Sequence, residues 1–179
     1  MTATDNDDAI TSDASSVVVR EPGTGRGSWA MSSLFEHLLE SPPGSDRLGV
    51  ALVTQPPGVA TPLHRHDREA EAFYLLDGRM TYRTGGPDDY QEHALYAGCF
   101  IWLPAGVPHA FRIRGESPAR FLAMVDPGGL LSLYDEVGMP APELRLPGAD
   151  GPTMDEEIPR WVAVSPRYGL TVVGPPIPE

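Results

Sequence analysis

Apolar and polar positions alternate in short runs along the first two thirds of the chain, and glycine or proline separates most of these runs. Residues 48–54, 71–76, 79–83, 90–95, 99–103, 109–114 and 120–125 have the length and composition of strands. Residues 61–66 read as extended after the turn Gln55-Pro56-Pro57-Gly58. Asp77-Gly78 lies between two apolar runs and predicts a tight hairpin. Gly85 to Asp89 predicts another turn, and Pro104 to Pro108 a rigid corner. Val17 to Val19 read as a first short strand, with a turn at 23–27. The stretch 29–39 is ambiguous. Met31, Leu34, Phe35, Leu38 and Leu39 fit a helical stripe, and the pattern alone does not choose between helix and strand.

After Asp126 the period changes. Leu130, Leu131, Leu133, Tyr134 and Val137 predict a short amphipathic helix stopped by Gly138. A proline-rich linker, 140–152, follows. Thr153 can cap a second helix with acidic residues in its first turn and apolar positions Ile158, Trp161, Val162 and Val164. Pro159 falls where proline is tolerated, and Pro166 should end the helix. Residues 168–173 read as a closing extended piece. The succession predicts an all-β protein, an antiparallel double-sheet jelly roll over 17–126. A disordered acidic leader, 1–16, precedes it, and a C-terminal helical extension, 127–179, packs on it.

Composition narrows this little further. The 179 residues suffice for one domain with a real core, and 41% are hydrophobic. Twenty prolines and nineteen glycines favour many short strands and turns over long helices. The net charge of -12, with no visible basic patch, argues against nucleic acid and against anionic membranes as partners. A lone cysteine, Cys99, permits no internal disulfide and reads as a small buried strand residue. No apolar run is long enough for a membrane span, and the N-terminus lacks a signal pattern, so the expected location is the cytoplasm.

The candidate chemistry lies in the histidines. His64 and His66 are one residue apart on an extended segment, so they share a face. Glu71 follows five residues later, and His109 lies far downstream. Three imidazoles and a carboxylate suit one divalent transition metal, whether iron, nickel, manganese, copper or zinc, and leave positions open for chemistry. Glu69 is the fallback carboxylate. His37 and His93 read as surface or edge histidines. Phe73 and Leu75 share a strand face with Glu71, and Phe111 and Ile113 with His109, so these four are the candidate lining of a small-molecule pocket. Tyr74 and Trp102 alternate to the opposite face, toward sheet packing or a dimer contact. Arg65 and Arg68 should point to solvent.

The spacing around these residues carries a resemblance. Gly58, five residues, His64-Arg65-His66, four residues, Glu71, six residues and Gly78 meet every position of the first cupin motif, G-x5-HxH-x3,4-E-x6-G. Gly98, Pro104, Gly106 and His109 meet the second, G-x5-P-x-G-x2-H-x3-N, until its last position, where Ile113 replaces asparagine. That asparagine is not a ligand, so the departure touches a turn or hydrogen bond. The chain thus resembles the cupin family over 45–126, whose fold is the double-stranded β-helix. Such proteins run strands where this chain has 29–39. Asp126-Pro127-Gly128-Gly129 and Tyr168-Gly169 loosely resemble the ending of small single-domain cupins similar to quercetin dioxygenases. By that resemblance the first helix would shape the barrel mouth. The resemblance implies that His64, His66, His109 and Glu71 hold the metal, and that Glu71 doubles as the base, its pKa raised by an apolar pocket. It implies a dioxygenase acting on a flavonol or other aromatic or enolic small molecule. A metal-assisted isomerase, cyclase or lyase is the alternative, and a non-enzymatic small-molecule-binding protein the third class. A homodimer paired through sheet edges and N-terminal strands is also expected.

Overall fold

The computed structural model describes residues 17–149 and 151–179. The expected leader, 1–16, lies outside them. The first strand is not at 17–19, where the valines are exposed and irregular, but at β1 (Arg26–Ala30), which forms a hairpin with β2 (Ser33–Leu39). Stretch 29–39 is therefore strand, turn and strand. Met31 and Ser32 make the two-residue turn with φ of 53° and 61°, the left-handed geometry of a tight hairpin. The two-residue period is hidden here because the first five residues of β2 are buried on both faces, polar Ser33, Glu36 and His37 among them, so polarity does not mark the outward side.

The chain continues through β3 (Gly49–Gln55), β4 (Leu63–His66), β5 (Ala70–Asp77), β6 (Arg79–Gly85) and β7 (Tyr90–Tyr96). It then forms β8 (Phe100–Leu103), β9 (His109–Arg114) and β10 (Ala119–Asp126). Helix α1 (Ser132–Val137), the two-residue strand β11 (Met139–Pro140), helix α2 (Met154–Val164) and strand β12 (Leu170–Gly174) follow. One sheet has the order β11-β1-β2-β3-β10-β5-β8 and the other β12-β4-β9-β6-β7, all paired antiparallel. This is the expected jelly-roll barrel with C-terminal helices.

Local chemistry explains the joints. Gly78 turns the β5–β6 hairpin at φ 84°, and a Cβ there would lie 2.6 Å from the Cα of Ala119. A Cβ on Gly128 would stand 2.1 Å from the amide nitrogen of Gly49, so the corner after β10 needs glycine for close approach. Thr153 caps α2 as expected, in a capping box with Glu156. Cys99 is half-buried in the turn before β8 rather than inside a strand. Ile113, at the asparagine position, packs in the core, while its main chain bonds Gly58 and Val59 (3.2 and 2.9 Å). The departure therefore leaves that connection intact.

Helix α1 is held to β1 and β2 by one charged cluster. Asp135 takes two hydrogen bonds from Arg26, at 3.0 and 2.7 Å, another from Ser28, and stands 3.2 Å from Nε2 of His37. His37 is buried and faces inward, which corrects its reading as a surface histidine. Burial alone would push the Asp135 carboxyl up. The bonds from His37, Arg26 and Ser28 outweigh it and hold the group well below the usual carboxylate range. Such a carboxylate stabilises the fold above its unfolded pKa of about 4, and that contribution is lost as pH falls through the lower folded value. Asp135→Asn should cost about 2 kcal/mol at neutral pH in urea unfolding. The difference from wild type should shrink below about pH 4; a gap that stays constant into strong acid would contradict this role.

Candidate metal centre

In β4 the alternation buries His64 and His66 and exposes Arg65 between them. His109 opens β9 directly across from His64. Ring centroids are 5.1 Å apart for His64 and His66, 4.4 Å for His64 and His109, and 4.9 Å for His66 and His109. One ring nitrogen from each lies within 4.8 Å of the others, and all three residues are buried.

The tautomers follow from two carbonyls that can only accept. Nδ1 of His64 donates to the carbonyl of Pro62 at 2.7 Å, and Nδ1 of His109 to that of Val107 at 2.9 Å. Each of these rings therefore keeps its Nε2 lone pair free. Nε2 of His109 is buried without a hydrogen-bond partner, and so is Nδ1 of His66. Burial, with the neighbouring imidazoles, holds the His64 pKa well below its usual value, and burial lowers His66 to about 4. Both rings are neutral at physiological pH, as ligation requires. Neutral, pre-oriented imidazoles with spare lone pairs fit a transition metal.

Glu71 comes from the facing sheet, on β5. Its Oε2 stands 3.4 Å from Nε2 of His109. Burial pushes this carboxyl up, but the contact with His109 and, in acid where His66 is protonated, the charge of His66 prevail, so its pKa is lowered. This corrects the sequence expectation of a raised pKa, which considered an apolar wall and not the imidazoles. Glu69, the fallback, sits in the loop before β5 near Gly169, with its buried Oε2 unpartnered and its pKa raised by burial. The close group of ligand atoms is His64, His66 and His109; neither Glu69 nor Glu71 belongs to it, and Glu71 reaches it through its contact with His109.

The other named positions fall as follows. Phe73, Leu75, Phe111 and Ile113 face the interior and pack in the central core. Tyr74 and Trp102 face outward and are exposed. Arg65 and Arg68 point to solvent beside Asp67 and Asp46. His93 lies on the edge strand β7, 3.1 Å from the hydroxyl of Thr84. Two cavities, of about 690 and 350 Å³, are lined by other residues, near Arg26 and near Trp102. The cluster lines neither.

Three aromatic neighbours escaped the sequence reading. Tyr82 of β6 is fully buried, stacks on His109 at 6.0 Å, and has a hydroxyl without a partner. Burial, then the charge of Glu71, raises its pKa well above the usual phenol value. Alternation along 79–83 could have placed Tyr82 indoors. Trp161 of α2 meets His64 edge-on at 5.5 Å. Tyr134 of α1 stacks on Phe35 at 4.2 Å and feels the charge of Glu71. Nothing local in the sequence signals either contact, because both cross from the C-terminal helices to the barrel.

Residues 51–125 match the sequence family described as the cupin domain. The chain contains a cupin domain. It is 27% identical over 113 residues to quercetin 2,3-dioxygenase of Bacillus subtilis (strain 168), a match covering 63% of this chain and 31% of that protein. It is 30% identical over 70 residues to the oxalate-binding protein of Thermotoga maritima, covering 39% of this chain and 54% of that protein. It therefore spans less than two thirds of the length of either relative. Among solved structures, the cupin domain of Schizosaccharomyces pombe Cnp3 aligns with a TM-score of 0.47 at 14% identity, covering 54% of this chain and 62% of that one. Among the described residues, no helix is long and apolar enough to cross a membrane.

Two measurements test the centre. Elemental analysis should find about one equivalent of a transition metal per wild-type chain, and none in His64→Ala/His66→Ala. A wild type that takes up no metal on reconstitution would count against the site. In metal-free protein, the lowered His66 pKa means that the unfolded chain binds more protons between about 6.5 and about 4. Urea midpoints should therefore fall as pH drops through that window. His66→Phe should flatten the fall.

Proposed function

We propose that this protein is a metal-dependent enzyme that uses dioxygen to oxidise an enolic or phenolic small molecule of the flavonol type. The observation that carries the reading is the meeting of three buried imidazoles from one sheet, two of them anchored on main-chain carbonyls, with a carboxylate from the facing sheet. His64, His66, His109 and Glu71 would hold one divalent metal, whether iron, nickel, manganese, copper or zinc. When bound, the metal supplies Lewis acidity and, if redox-active, a route for electrons to dioxygen.

The remaining work belongs to the chain. The carbonyls of Pro62 and Val107 fix the rings of His64 and His109, so the donors need not reorganise. Glu71 is ionised at neutral pH and would accept the proton of a substrate hydroxyl. Tyr82 and Trp161, both buried against the histidine rings, keep bulk water from that proton transfer. The similarity to quercetin 2,3-dioxygenase supports this class of substrate.

A second reading is a metal-assisted isomerase, cyclase or lyase, or a small-molecule-binding protein. The similarity to the oxalate-binding protein supports its binding form. An oxygen electrode decides between them. Metal-reconstituted wild type with quercetin and simpler enols should consume dioxygen in step with substrate loss. Glu71→Gln should lower kcat about 10²–10⁴-fold. Product without dioxygen uptake would support the isomerase or lyase, and tight binding without product the binding protein.

A further inference from the structure

The side chain of Tyr82 is fully buried, yet its hydroxyl has no hydrogen-bond partner among the described residues. The register explains why. Tyr82 faces inward on β6, between Phe111 of β9 and His93 of β7. The Phe111 ring stacks on it at 5.7 Å, and Phe73 of the facing sheet meets it edge-on, also at 5.7 Å. Neither ring offers an oxygen or nitrogen. Nε2 of His93 is already taken up by the hydroxyl of Thr84, 3.1 Å away.

Packing does not call for this hydroxyl. The ring makes the aromatic contacts, and a phenylalanine ring would make the same ones. A buried hydroxyl without an acceptor costs stability, because folding strips it of solvent and returns nothing. Its place is explained by what it lies beside. The Tyr82 ring lies along the His109 ring at 6.0 Å, with 22° between the planes. Glu71 approaches the same imidazole at Nε2, 3.4 Å away. The phenol feels the charge of Glu71, and that charge together with burial keeps it protonated. Glu71, whose pKa is lowered, is an acceptor. One metal-facing imidazole is thus flanked by a fixed donor and a fixed acceptor.

We propose that the Tyr82 hydroxyl is a substrate contact, donating a hydrogen bond to the oxyanion that forms when Glu71 takes the proton of a substrate hydroxyl. This rests on the metal centre and the base assigned above. The substrate O–H bond breaks, its proton goes to the Glu71 carboxylate, and its electron pair stays on the substrate oxygen. Negative charge therefore leaves Glu71 and appears on the substrate, beside a donor that has no other partner. Hydrogen bonds to ionised acceptors are about twice as strong as neutral ones, so the contact tightens as the proton leaves. The class it selects is a small molecule with an acidic hydroxyl on unsaturated carbon, an enol, phenol or catechol.

Tyr82→Phe tests it in two ways. In the full chain without substrate, with or without metal, the urea midpoint should stay at the wild-type value or rise, since the variant keeps the ring and removes an unpaired group. In metal-reconstituted protein under nitrogen, quercetin and 4-nitrocatechol should bind the variant about 10- to 100-fold more weakly, the loss expected for one hydrogen bond to a charged group. Metal content should be unchanged, and bound 4-nitrocatechol should shift from its coloured anion toward the neutral form. A lower urea midpoint in the variant would mean that the hydroxyl serves the fold, and would overturn the proposal. So would equal affinity of wild type and variant for both probes, or a wild type that binds neither. Weaker binding by the variant, with no dioxygen uptake by the wild type, would sink the dioxygenase reading and keep the contact.

Discussion

The site depends on a single cross-strand pairing, that of His64 with His109. It joins two short segments 45 residues apart in the chain and sets their rings 4.4 Å from one another. Slipping either strand by one residue would turn its histidine toward solvent, since side chains alternate. Two carbonyls, each two residues upstream of its histidine, then remove the rotational freedom of the rings. What the barrel contributes beyond this is a facing sheet, which brings Glu71 to within 3.4 Å of His109.

Much of this arrangement was legible. A two-residue period fixes which side chains of a strand share a face, so His64 with His66, Glu71 with Phe73, and His109 with Phe111 could be grouped without coordinates. The glycine and proline spacing set the turns. Residues covered on both sides defeated that logic. In β2 polar Ser33, Glu36 and His37 are buried with the apolar residues, so polarity does not mark the outward side and a helical stripe fits as well. His37 read as a surface histidine for a similar reason. Its partner Asp135 is 98 residues away, and no local pattern announces that pairing.

The electrostatics were harder to foresee than the geometry. An apolar pocket raises a carboxyl pKa, and the apolar neighbours of Glu71 were visible in the sequence. The imidazoles beside it reverse the direction. Trp161 and Tyr134 share that difficulty, because each reaches the barrel from a helix whose own amphipathic pattern only says that one side is buried. Where a helix docks is set by long-range contacts that periodicity does not encode.

Strand β12 has a consequence for the order of assembly. β4 meets β9 through His64 and His109, but four residues of β12 pair with it on its other side, from Leu170 against His66 to Gly174 against Leu63. Leu170 follows His66 by 104 residues. The backbone that aims two of the three imidazoles is thus secured by one of the longest-range pairings in the molecule, a kind of contact that forms slowly because the loop it closes is large. As the chain is synthesised from its N-terminus, the barrel strands emerge well before their last neighbour. The strand that carries His64 and His66 gains its second neighbour only when residues 170–174 have arrived, so the histidine cluster is completed in the last stage of folding.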